Sequence, residues 1–259
     1  MKIYILADME GISGIRMPQQ TQRDSEYYSA GCKLMMDDMN VAIGAAFEAG
    51  ATEVVACDTH AGGGQVRVEM MDPRATYEMP GLGIMMPSLT KDFDGLVLLG
   101  HHAQAGTFNG FLDHTITGKE WFEYRINGEP VGEIGIEAAF AAHFDVPVIA
   151  MSGDEAAASE AKALLGCVEC AVVKRGIGRD RANCLSIDEA HRRIREAISR
   201  AMHDLSRFSP WKPNLPATIE LTVCRSDMAD RFESRVGIER VGARTLRAQI
   251  SSLRDVRLR

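Results

Sequence analysis

The sequence predicts an α/β protein in which a mostly parallel sheet is flanked by helices, with a smaller C-terminal α+β unit. Three observations predict this fold. Short apolar segments alternate with helical segments through residue 151. The runs at 54–56 and 96–99 are continuously apolar, as expected of strands covered on both faces. After about Gly166 the pattern changes, which predicts a boundary between domains at 1–165 and 166–259.

Turn and cap residues bound the predicted elements of the first unit. Gly50 is suited to the C-cap of a helix, and Pro147 marks the turn before a strand. In chain order we predict a strand at 2–7, a helix at 37–49, strands at 52–57 and 95–99, a helix at 132–143 and a strand at 146–151.

The second unit has its own signals. Ser186 followed by Glu189 is a capping box that begins a charged helix extending to Leu205. A proline-rich linker follows at 210–216. In chain order we predict a strand at 171–174, this helix, a strand at 218–223, a short helix at 227–234 and a strand at 245–250.

Composition and net charge narrow the kinds of molecule that this protein is expected to bind. The chain has 259 residues, of which 46% are hydrophobic and 25% charged, and a net charge of −7 that argues against a nucleic-acid partner. We expect a small-molecule partner. No apolar stretch approaches the roughly 20 residues needed to span a bilayer, so no membrane role is predicted. Asp8 and Glu10 interrupt the first apolar run before a signal peptide could be complete, so we expect a cytoplasmic protein.

The cysteines and a glycine run offer weaker motifs. We expect the six cysteines to be reduced thiols, because no export signal is evident. Cys167 and Cys170 form a lone CxxC, whereas a structural zinc site needs two more ligands. The glycines at 62–64 lack the lysine and the serine or threonine of a phosphate-binding loop. Neither motif predicts a site.

Polar clusters follow the first three predicted strands. Asp8 and Glu10 end the first strand, Asp58 and His60 end the second, and His101-His102 end the third. Residues two apart in an extended segment face the same side. Ligands of open α/β sheets bind at the carboxyl ends of the strands, so these clusters can converge in one crevice. Periodicity cannot choose between the two adjacent histidines.

Carboxylates and imidazoles together are typical ligands of zinc. Two or three carboxylates with two histidines exceed the needs of one ion with an open position, which favours two ions about 3.5–4 Å apart that share a bridging group. Asp8, central on the first strand, is the candidate bridge. A single acidic residue at a strand end is more often a cap or turn former, so the prediction depends on the three clusters together.

Five dispersed motifs then resemble the M55 D-aminopeptidase family, in order over nearly the whole chain. They are Asp8-Met-Glu10-Gly-Ile-Ser-Gly14, Asp58-Thr-His60, Gly100-His-His102-Ala103, Asp113-His114-Thr115 and Val131-Gly-Glu133-Ile-Gly135. The resemblance implies two zinc ions per chain, with Asp8 bridging. It implies that His114 is the catalytic histidine, as base, acid or nucleophile. The implied zinc ligands are Asp8, Glu10, His60, His102 and Glu133.

The resemblance also implies a substrate and an assembly. The expected substrates are short peptides with an N-terminal D-residue such as D-alanine, and the expected assembly is a ring-shaped homo-oligomer, a decamer. Three alternatives stay open: a two-metal amidase or esterase of other specificity, a non-enzymatic peptide-binding protein of a transport system, and a structural zinc protein. Specificity depends on pocket shape, and we expect residues 107–113 to line the entrance.

Overall fold

Two β-sheets form the framework of the protein. The computed structural model describes residues 1–81, 84–232 and 234–258. The strands of these residues are β1 (Lys2–Ala7), β2 (Glu53–Asp58), β3 (Thr76–Glu78), β4 (Gly95–His101), β5 (Trp121–Ile126), β6 (Glu129–Pro130), β7 (Val148–Asp154), β8 (Glu169–Gly178), β9 (Arg181–Cys184), β10 (Ala217–Val223), β11 (Ile238–Arg240) and β12 (Thr245–Ile250).

The α-helices connect and cover these strands. Those of the described residues are α1 (Tyr28–Glu48), α2 (Glu133–Ala142), α3 (Glu155–Leu165), α4 (Ile187–His203) and α5 (Ser226–Asp230). The side chain of Asp154 caps α3 by accepting the N–H of Ala157, and that of Ser186 caps α4 by accepting the N–H of Glu189. Ser186 thus caps α4 as predicted, whereas the carboxylate of Glu189 accepts hydrogen bonds from Arg192 and Arg193. Among the described residues, no helix is both long and apolar enough to span a membrane.

The first sheet has the order β3-β2-β1-β4-β7-β8-β9 and is parallel except for the β8–β9 pair. The second sheet is antiparallel, with the order β11-β12-β10-β5-β6. The parallel core of the first sheet confirms the predicted fold class. Its continuously apolar strands are covered on both faces, which is why they show no polar alternation.

Alternate residues of β1 show the two layers of the core. Ile3 and Ile5 pack on one face with α1 and α4. Tyr4 and Leu6 pack on the opposite face with α2, α3 and the second sheet. All four side chains are fully buried, so β1 lies at the centre of the molecule. Residues that follow its last position therefore enter a crevice already shielded from water.

Several elements differ from the prediction. The first helix begins at Tyr28 rather than at residue 37, and α3, β3, β5, β6, β9 and β11 were not predicted. The buried residues of α3 are alanines, Ala157, Ala158 and Ala161, so no large apolar side chains mark its buried face in the sequence. The predicted helix at 227–234 corresponds to the shorter α5, and its residue 233 lies outside the described residues.

The sheets do not follow the predicted boundary after residue 165. Strands β8 and β9 extend the first sheet beyond it, and β5 and β6 belong to the second sheet although they precede it. Pairing across this boundary contributes hydrogen bonds that a local reading of the chain cannot anticipate. The division of the chain into two domains, 1–165 and 166–259, stays a prediction.

Candidate metal centre

The carboxyl ends of β1 and β2 bring three predicted ligands together. His60 Nδ1 lies 3.0 Å from Asp8 Oδ1 and 3.1 Å from Glu10 Oε2. The backbones approach closely here, since the N–H of Gly11 donates to the carbonyl of Gly100 at 2.7 Å and a β-carbon on Gly11 would lie 2.1 Å from the carbonyl oxygen of His101. Glycine is therefore required beside the cluster. Asp8, Glu10 and His60 could hold one metal ion.

A second group lies against the first. His102 Nε2 is 3.3 Å from Asp8 Oδ2 and 3.3 Å from Glu133 Oε1. His114 Nε2 is 3.5 Å from the same oxygen of Glu133. His102, His114 and Glu133 could hold another ion. The two oxygens of Asp8 thus face different groups, which is the geometry of a bridging carboxylate.

The outward nitrogens of the three histidines face backbone carbonyls. His60 Nε2 lies 3.0 Å from the oxygen of Thr21, and His102 Nδ1 lies 3.0 Å from that of Ala103. His114 Nδ1 lies 2.9 Å from the oxygen of Leu112. A carbonyl only accepts, so each ring carries a proton at this nitrogen. In a neutral imidazole the other nitrogen then presents a lone pair toward the carboxylates, the orientation of a metal-ligating histidine.

An orphaned polar atom supports a cation at this position. His102 Nε2 is buried and has no hydrogen-bond partner among the described residues. Buried polar atoms normally have a partner. A divalent cation between His102, Asp8 and Glu133 would satisfy this nitrogen and both carboxylates, so the residues present fit a metal.

The electrostatics of the cluster keep the carboxylates of Asp8 and Glu133 ionised. Burial opposes the charge of Asp8, but His102 and His60 outweigh it and hold its pKa well below the usual range. Burial likewise opposes the charge of Glu133, and His102 outweighs it and lowers the pKa to about 2. Conversely, Glu10 and Asp8 overcome burial and raise the pKa of His60 well above its ordinary value. The site attracts positive charge.

The structure decides which of the adjacent histidines enters the crevice. His101 points to the opposite side of β4, where its Nε2 contacts Glu137 at 2.6 Å in the core. His102 lies in the cluster, as the family resemblance implies. The prediction from spacing that Asp58 and His60 point together into the crevice is wrong, because Asp58 does not join His60 in the cluster. Its Oδ2 instead accepts the backbone N–H groups of residues 64–66 and shapes the loop after β2.

Lys174 is a buried residue near the site that the sequence reading missed. Its Nζ donates to the carbonyls of Glu10 and Ile15, each at 2.7 Å, and its side chain is almost fully buried. It thereby fixes the chain on both sides of the glycine turn after β1. The one signal in the sequence is a charged residue at the end of an otherwise apolar strand segment.

Two carboxylates, one at the N-cap of α3 and one within α3, accept backbone hydrogen bonds from the loop that carries His114. Asp154 Oδ2 accepts the N–H of Phe111 at 2.9 Å. Glu160 Oε2 accepts the N–H of Gln104 at 2.7 Å, and burial raises the pKa of Glu160 to about 7. Neither was predicted, because α3 itself was not predicted.

A parallel α/β sheet with two carboxylate–imidazole groups joined by one aspartate at its carboxyl edge is an arrangement suited to a two-metal hydrolase. The family model of Peptidase_M55, described as D-aminopeptidase, matches residues 1–258, and the chain belongs to this family of peptidases. A D-aminopeptidase of Bacillus subtilis (strain 168) is 37% identical over 218 residues, 82% of this chain and 78% of that protein.

A solved structure is similar throughout. It is that of the Zn-dependent D-aminopeptidase DppA from Bacillus subtilis, described as a self-compartmentalizing protease. The similarity has a TM-score of 0.94 at 30% identity, and covers 99% of this chain and 94% of that one. The resemblance drawn from the five motifs is confirmed.

Proposed function

We propose that this protein is a dinuclear zinc aminopeptidase that removes the N-terminal D-residue, such as D-alanine, from short peptides. The observation that carries the proposal is the position of Asp8, whose Oδ1 lies 3.0 Å from His60 Nδ1 and whose Oδ2 lies 3.3 Å from His102 Nε2. One carboxylate thus joins two ligand groups. Membership of the D-aminopeptidase family supports the choice of peptide substrate and of D-configuration.

In this proposal Asp8, Glu10 and His60 hold one zinc ion, and Asp8, His102 and Glu133 hold the other. When bound, the zinc pair would polarise the scissile carbonyl and activate a water molecule. The carboxylates supply the negative charge that such a pair requires, and the carbonyls behind the histidines fix the rings.

His114 is the proposed proton-transfer group. Its Nδ1–H is directed at the carbonyl of Leu112, so the lone pair of Nε2 is available. The side chain is 19% exposed, against 1% for His102, so it can be reached by a substrate. His114 would accept a proton from the attacking water at Nε2 and return it to the leaving amine. A peptide-binding protein would have no use for such a group, which disfavours the non-enzymatic alternative.

We further propose a ring-shaped homo-oligomer, a decamer, that encloses its active sites. The similar solved structure, described as self-compartmentalizing, supports assembly. Exposed apolar side chains also support it: Phe108 is 90% exposed and Val68 is 78% exposed. Six free cysteines suit the reducing cytoplasm, the proposed location.

The test combines metal content with stereospecific hydrolysis. Purified protein is expected to contain about two zinc ions per chain and to hydrolyse D-alanyl peptides but not their L-counterparts. Chelation should abolish activity before the fold is lost, which distinguishes a catalytic from a structural zinc site. Hydrolysis of esters or of L-substrates alone would instead identify the amidase or esterase alternative, which has the same ligands. Metal-free protein with full activity would contradict both.

A further inference from the structure

A cleft of about 530 Å³ adjoins His114, a volume typical of sites for small ligands. Thr107 and Asp113 line it, at the two ends of the segment expected to form the entrance. Phe122 of β5, whose side chain is 57% exposed, adds aromatic surface, whereas Trp121 and Tyr124 border the cleft from the buried core. His114 borders this cleft while its Nε2 faces the metal-ligating groups. A peptide with its scissile bond at Nε2 would therefore extend into the cleft.

Arg179, in the turn between β8 and β9, supplies positive charge to this cleft. It is the one lysine or arginine among the described residues that border it; the other charged or titratable side chains there are those of Asp113, His114, Glu123, Tyr124 and Cys224. A β-carbon built on Gly118 would lie 3.1 Å from Arg179 Nη2 and 3.4 Å from His114 Cβ. The guanidinium and the proposed proton-transfer residue thus flank the same glycine.

The backbone holds Arg179 in place, whereas its guanidinium is only loosely engaged. Its carbonyl accepts the N–H of Leu112 at 2.7 Å. Its Nε is 3.4 Å from Asp113 Oδ1 and its Nη1 is 3.7 Å from Asp180 Oδ1. Both distances exceed the roughly 2.7–2.9 Å of a close charge-assisted hydrogen bond. Asp113 already has another hydrogen-bond partner, because its Oδ2 accepts the N–H of Gly106 at 2.6 Å. The guanidinium is half-exposed, so N–H groups of Arg179 remain available to donate hydrogen bonds to a ligand.

We propose that Arg179 binds the C-terminal carboxylate of the peptide and so makes short peptides with a free carboxyl group the preferred substrates. This inference rests on the proposed function and names its substrate class. The planar guanidinium matches a carboxylate through two parallel hydrogen bonds. Each further residue would move the carboxylate by about 3.3–3.6 Å in an extended peptide, so a carboxylate held by Arg179 selects among peptide lengths.

The test compares two substrates of equal length on zinc-loaded, full-chain protein. They are D-alanyl-D-alanine and its C-terminal amide. Arg179→Gln is expected to raise KM for the free dipeptide at least about tenfold, as for loss of a charge-assisted hydrogen bond, and to leave KM for the amide unchanged. Arg179→Lys should recover part of the loss. Arg181→Gln is the matched control, because Arg181 is exposed and does not border the cleft.

The possible outcomes distinguish failure of the inference about Arg179 from failure of the proposed function. An equal change for both substrates, or no change for either, would overturn the role of Arg179 while leaving the aminopeptidase intact. If the wild type hydrolyses neither substrate, the proposed function fails, and the inference fails with it. A selective effect on the free dipeptide that Arg181→Gln does not reproduce supports the inference.

Discussion

The imidazole rings of His102 and His114 are stacked, with centroids 4.0 Å apart and planes 13° from parallel. Yet the two histidines differ in surroundings. His102 Nε2 lies between two carboxylates, whereas His114 Nε2 lies near Glu133 alone and is more exposed. In the proposed function, His102 ligates zinc and His114 exchanges a proton.

His114→Ala is therefore expected to retain both zinc ions and to lose about 10²- to 10⁴-fold in kcat, the usual contribution of a general acid–base group. Zinc content by mass spectrometry and steady-state kinetics on the same samples would check this. His143→Ala, at an exposed histidine after α2, is the control. Loss of one zinc ion in His114→Ala would place His114 among the ligands instead.

The proposed bridging position of Asp8 predicts unequal effects on metal content. Asp8→Ala should lose both ions, because its two oxygens face both ligand groups. Glu10→Ala and Glu133→Ala should each retain about one ion, since each removes a ligand from one group only. Metal analysis after dialysis measures this, with circular dichroism to verify folding. Equal metal content in all three variants would contradict the bridge.

Lys174→Met should destabilise the fold. It leaves the carbonyl of Glu10 without this donor and that of Ile15 with only the weaker thiol donor of Cys184, and an unsatisfied buried acceptor costs about 1–3 kcal/mol. We expect the free energy of unfolding to fall by about 2–5 kcal/mol in urea titrations. Lys162→Met, on the exposed side of α3, should change it by less than about 0.5 kcal/mol. Equal stability of the two variants would contradict the role of Lys174.

The contact between His191 and Asp38 predicts a pH-dependent stability. His191 Nε2 lies 3.0 Å from Asp38 Oδ1, and this hydrogen bond raises the pKa of His191. The stabilisation is fully present below the unfolded-state pKa of about 6.5 and is lost as pH rises through the raised folded-state pKa. His191→Asn should lower Tm more at pH 5.5 than at pH 9.

A double-mutant cycle with Asp38→Asn isolates this pair from the other bond of Asp38, which accepts the N–H of Ser13. The coupling between the two substitutions should be larger at the lower pH. A coupling independent of pH would show that the charge of His191 does not contribute.

Local patterns were sufficient for most strands of the parallel sheet and for three of the five candidate ligands. The strand at 2–7 and the last strand at 245–250 have the predicted bounds. Asp8, Glu10 and His60 were found because they directly follow apolar strands, where a parallel sheet opens a crevice. Glu133 and His114 were implied by the family resemblance alone, since each follows a segment whose place in the fold depends on distant pairing.

The sequence by itself determined the fold class, the strand ends that carry chemistry and the family. Only the tertiary structure decided that Asp8 faces two ligand groups, that Asp58 shapes a loop, that His101 turns into the core and that Arg179 borders the cleft beside His114. The reason is physical. Strand and helix periodicity follow from neighbouring residues, whereas the direction of a side chain and its partners depend on segments that meet only when the sheets assemble.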